Sequence, residues 1–163
     1  MTYFDYRDNY PNIEKALREG AKLVAYNRGG VRFVVIWDPK NEKSLSQGQY
    51  PWISGALLYA EEDFGLSEEE IRQKRPYFNE GKPSHPYDII DKYLSRVSGF
   101  TVVYTPKDLF LCYLSSHPWG SGRDEEEVYW DVSTTMMDAI SSAILSKGTK
   151  IKKELIEFFG AEL

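Results

Sequence analysis

Apolar residues recur with two different periods along the chain, and the switches between them predict the elements. Residues 11–19 place Ile13, Ala16 and Leu17 on one helical face, with Pro11 suited to the first turn and Gly20 to the stop. The period then shortens to two. Residues 21–27 and 31–38 read as strands around Gly29-Gly30, a pair that accepts the positive φ angles of a tight hairpin. In that register Val24, Tyr26, Val31, Phe33, Val35 and Trp37 share one face, and Leu23, Ala25, Val34 and Ile36 share the other. Both faces are apolar, which predicts a pair inside the sheet or covered on both sides.

Pro39 to Tyr50 is polar and predicts a long exposed loop. Ile53, Ala56, Leu57, Ala60 and Phe64 then form a helical stripe over 51–64, weakened by Gly55; a strand over 53–60 is the competing reading. Ser67 and Glu70 form an S-x-x-E capping box that opens a helix through about Arg75, stopped by Pro76. Pro86 restarts a helix with Ile89, Ile90, Tyr93, Leu94 and Val97 inward, ended by Gly99. A second hairpin follows over 100–115, with Pro106-Lys107-Asp108 as a type I turn candidate. Asp124 and Glu127 cap a long helix whose apolar positions are Val128, Val132, Met136, Met137, Ile140 and Ile144, broken by Gly148. Thr149 opens a last helix with Ile151, Leu155, Ile156 and Phe159.

The order helix, glycine, hairpin occurs twice, at 11–38 and 86–115, although the residues of the two stretches barely match. Two hairpins, at about 21–38 and 100–115, combine into one four-stranded antiparallel sheet with about six helices packed around it. The expected class is therefore α+β. A length of 163 residues fits one globular domain, 1–163.

Composition narrows the class without naming an activity. Apolar residues make up 42% and aromatic residues 15%, enough for a compact core. The net charge of −5 argues against a generally basic nucleic-acid coat. The longest apolar run, Leu109 to Leu114, is far short of a bilayer span, and no basic start precedes an apolar stretch at the N-terminus. The one cysteine, Cys112, has no partner within the chain, so a reduced cytoplasmic protein is expected.

Each chemical motif meets a plainer reading. The run ALLYAEEDFGLSEEEIRQKR resembles a helix-turn-helix, but Glu68, Glu69 and Glu70 would face phosphates and be repelled. HPWGSGR before a helix could cradle an anion, yet Asp124 to Glu127 already answer the helix dipole there. His85 and His117 lie in no metal-ligand spacing, so neither a metal nor a cofactor is expected. Cys112 sits in the apolar run LFLCYLSS and reads as a small buried hydrophobe, not a nucleophile.

Aromatic and basic side chains beside the loops remain: Tyr50, Trp52, Tyr77, Phe78, His85, His117, Trp119 and Arg123. Tyr, Trp and Arg are enriched in binding patches. The expectation is a small acidic cytosolic interaction or regulatory module without catalysis. It would hold a protein partner through Tyr50, Trp52, His85, His117, Trp119 and Arg123 beside an acidic rim at 61–80 and 124–131, and an exposed apolar stripe on 128–144 or 151–159 would suggest a homo-oligomer. The alternative is a small-molecule receptor or enzyme with a loop cleft around His85, His117 and Arg123. A nucleic-acid regulator is the third reading, and it would need the basic stretches 14–32 and 147–153 to meet.

Overall fold

The computed structural model describes residues 10–74, 88–95, 99–115, 127–146 and 150–159. The chain starts with α1 (Pro11–Arg18) and the antiparallel strands β1 (Lys22–Arg28), β2 (Val31–Asp38) and β3 (Lys43–Tyr50). Helices α2 (Ile53–Glu62), α3 (Glu68–Lys74) and α4 (Asp88–Leu94) follow. Next come β4 (Gly99–Tyr104), β5 (Phe110–Ser115), β6 (Glu127–Val128), β7 (Trp130–Ser133) and α5 (Met136–Ile144). Strand β8 (Lys150–Ile151) and helix α6 (Lys152–Phe159) complete the described elements.

The class is α+β, but the sheet has six strands in the order β3-β2-β1-β4-β5-β7, all antiparallel, and β6 pairs with β8 separately. The expected four-stranded sheet is therefore corrected by one strand at each edge. Strand β3 lies where a polar loop is expected. Its helix-facing positions are Ser46, Gly48 and Tyr50, all buried, but the first two are small because α2 passes close above them. Strand β7 lies within the expected long helix. Val128, Val132 and Met136 are spaced by four, a step that suits a strand's period of two as well as a helical turn. The helix begins only at Met136, where the Thr135 hydroxyl accepts from the Asp138 amide.

Other boundaries move less. Gly99 opens β4 instead of closing a helix, and Ile89 points outward at 40% exposure while Ile90 and Leu94 are buried. Residues 53–60 are helical, which removes the competing strand. Ile151 belongs to β8, and α6 starts after it. Pro86, Val97, Asp124 and Thr149 lie outside the described residues. The first hairpin forms as its sequence predicts. Gly29 and Gly30 have φ of +60° and +82°, and Lys22 to Arg28 pairs with Trp37 to Val31 without a slip.

The two halves of the sheet repeat one plan, helix–three strands–helix. One constant offset in residue number carries α1 and β1 onto α4 and β4, so that Ile13 corresponds to Ile90, Leu17 to Leu94 and Leu23 to Phe100. All six are buried. That same offset carries Val24 onto Thr101, and these two stand directly opposite each other where β1 pairs with β4. A pseudo-twofold axis therefore crosses the sheet at this pair. Strand pairing extends the match to Val34 with Cys112 and Tyr50 with Ser133. It continues through Ile53 with Met136, Ala56 with Ala139, Leu57 with Ile140 and Ala60 with Ala143. These last eight are buried too.

One face of the sheet carries α1, α2, α4 and α5, whose inward side chains join Leu23, Ala25, Val34, Ile36, Phe100 and Val102 in the main core. Carboxylates tie these helices together. Glu61 on α2 accepts from the amides of Asn12 (2.9 Å) and Ile13 (3.0 Å), satisfying the first turn of α1. Asp91 on α4 accepts from the Ile53 amide at 2.9 Å and so caps α2 across the axis.

Candidate interaction surface

The opposite face of the sheet carries a second, smaller apolar cluster. In the second half Leu155 of α6 packs on Val103, Leu111 and Trp130, with Tyr113 and Val132 beside them. Leu155 is 2% exposed, a burial that stabilises by about 1.5–3 kcal/mol. The repeat maps this seat onto the first half. Val103 corresponds to Tyr26, Leu111 to Phe33, Tyr113 to Val35, Trp130 to Gln47 and Val132 to Gln49. All five first-half residues are half-buried, as are Val31 and Trp37 on the same face.

The strands place these side chains by alternation: residues opposite each other in an antiparallel pair share a face. Tyr26 stands opposite Phe33, and their rings stack with centroids 5.1 Å apart and planes within 4°. Val24 stands opposite Val35, and Lys22 opposite Trp37. Partial burial pushes the Tyr26 phenol pKa up, and the charge of Arg28 pulls it partly back. Lys22 and Arg28 mark the two ends of β1 on this face, and the residues of β1, β2 and β3 that share it include no carboxylate. The equivalents of these cations in the second half are the uncharged Gly99 and Thr105.

Of the residues singled out from sequence, Tyr50 and Trp52 are described; His85, His117, Trp119 and Arg123 lie outside the described residues, as do Tyr77 and Phe78. Tyr50 belongs to the core. It is 8% exposed, its ring lies 5.7 Å from that of Tyr59, and Gly55 leaves the space its ring fills. Trp52 is 40% exposed at the start of α2, with the Arg32 guanidinium 5.9 Å from its ring centre. That guanidinium is committed to the protein. It donates to Asp91 Oδ1 (3.1 Å), to the Asp91 carbonyl (2.9 Å) and to the Gly30 carbonyl (3.3 Å). This cluster holds the fold and offers little to a ligand.

The expected acidic rim is partly turned inward. Glu61 and Asp63 are buried, the first capping α1 and the second 3.0 Å from the Lys74 ammonium. Glu70 is exposed and closes the capping box with Ser67, its amide 3.2 Å from the Ser67 hydroxyl. Cys112 is fully buried, and burial with the nearby Asp131 charge pushes its thiol well above the ordinary range. It packs within the main core. Among the described residues no three His, Cys, Asp or Glu side chains gather as a metal site would require, and no helix is long and apolar enough to cross a membrane.

The first-half seat carries no chemical motif, and its members look like ordinary strand residues. The signal was present in the second apolar face of 21–38. Comparison of the chain with protein-family models, with curated proteins and with solved structures finds no match.

Proposed function

We propose that the protein is a non-catalytic interaction module that holds a protein partner against the outer face of β1, β2 and β3. The observation that carries this reading is the seat formed by Tyr26, Phe33 and Val35, whose counterpart in the same molecule is filled by α6. Aromatic and branched side chains concentrated on one face supply the apolar centre that protein interfaces use. Trp52 and the exposed acids of α3 serve as secondary contacts in this reading. A reducing cytoplasm suits it, since the one cysteine is a buried thiol.

Recovery of partners from native lysate tests the proposal when wild type is compared with two variants. Val35→Asp places a charge in the centre of the seat and is expected to abolish recovery of a stoichiometric partner. Charge reversal at Glu69 and Glu70 is expected to leave it. Urea midpoints show whether each variant is folded. Loss with the acidic reversal and retention with Val35→Asp would transfer the function to the acidic surface and refute the proposal.

A further inference from the structure

We draw no further inference here: the strongest candidate, the surface patch of the exposed Trp52 ring and the Arg32 guanidinium at the start of α2, belongs to the fold-holding cluster already described, and nothing in the structure shows what would cover it.

Discussion

Arg32 Nε and Asp91 Oδ1 lie 3.1 Å apart inside the protein, one on β2 of the first half and the other on α4 of the second. The same carboxylate oxygen accepts from the Ile53 amide at 2.9 Å. One group thus neutralises a buried cation, caps a helix and joins the halves across the pseudo-twofold axis. Its repeat equivalent, Glu14, instead turns back to the Tyr10 amide at 3.1 Å. The equivalent of Arg32 is Phe110, and the Arg18 guanidinium stacks on that ring at 5.2 Å. The repeat kept the apolar core, while the contacts of its buried charges diverged.

Asp91→Asn keeps an acceptor for Ile53 but leaves Arg32 buried without its counter-charge. The expected cost is about 3–5 kcal/mol, measured by urea unfolding. Adding Arg32→Met should restore most of the loss, because an apolar chain of similar length needs no counter-charge there. A loss below about 1 kcal/mol in the single variant would show that the pair contributes little.

Gly48 and Asp131 occupy equivalent positions, yet they should respond oppositely to alanine. A Cβ on Gly48 would meet the Ala56 carbonyl oxygen and lie 2.8 Å from the Ala60 amide nitrogen, both backbone atoms of α2. Strand and helix would have to separate, at a cost of about 3 kcal/mol or more. Asp131 is half-buried and already carries a side chain, so Asp131→Ala should cost about 1 kcal/mol or less. Thermal unfolding of the two variants checks the contrast.

That glycine also explains what was hard to read. The Gly29-Gly30 hairpin was legible because a strong turn signal joins two apolar strands whose alternation survives on both faces. Strand β3 was not, because α2 approaches so closely that Ser46 and Gly48 replace the branched side chains that would have announced a strand. The Ser46 hydroxyl even donates to the Ala60 carbonyl, at 2.5 Å. Equivalences such as Ile13 with Ile90 and Ala60 with Ala143 fall mostly at buried positions, with Lys15 and Lys92 an exposed exception, so the two halves look unrelated until the strands are paired. The candidate seat was legible only as a second apolar face. Which half of the sheet α6 would cover depends on contacts far apart in sequence.

Alkaline pH should weaken the fold through Cys112 and Tyr113. Burial raises both pKa values above their ordinary 9.0 and 10.0, so the folded protein keeps these protons after the unfolded chain has released them. The unfolded state then binds fewer protons, and stability falls as pH rises. The contribution is complete below the ordinary values and is lost as pH climbs past them toward the folded values. Urea midpoints should therefore drop between about pH 8 and pH 11, and Cys112→Ala should flatten the part of that slope that begins near 9.0. A thiol reagent should fail to label Cys112 until the protein is denatured, since the buried neutral thiol is a poor nucleophile.

Methyl NMR of the protein bound to the partner recovered from lysate tests the interaction surface most directly. Val31 and Val35 are expected to shift, while Val103 and Leu111 beneath α6, and Leu57 and Ile140 in the helix-side core, stay in place. Shifts confined to the helix layer or to the neighbourhood of Trp52, with Val31 and Val35 unmoved, would contradict the assignment of the β1–β2–β3 face as the docking site.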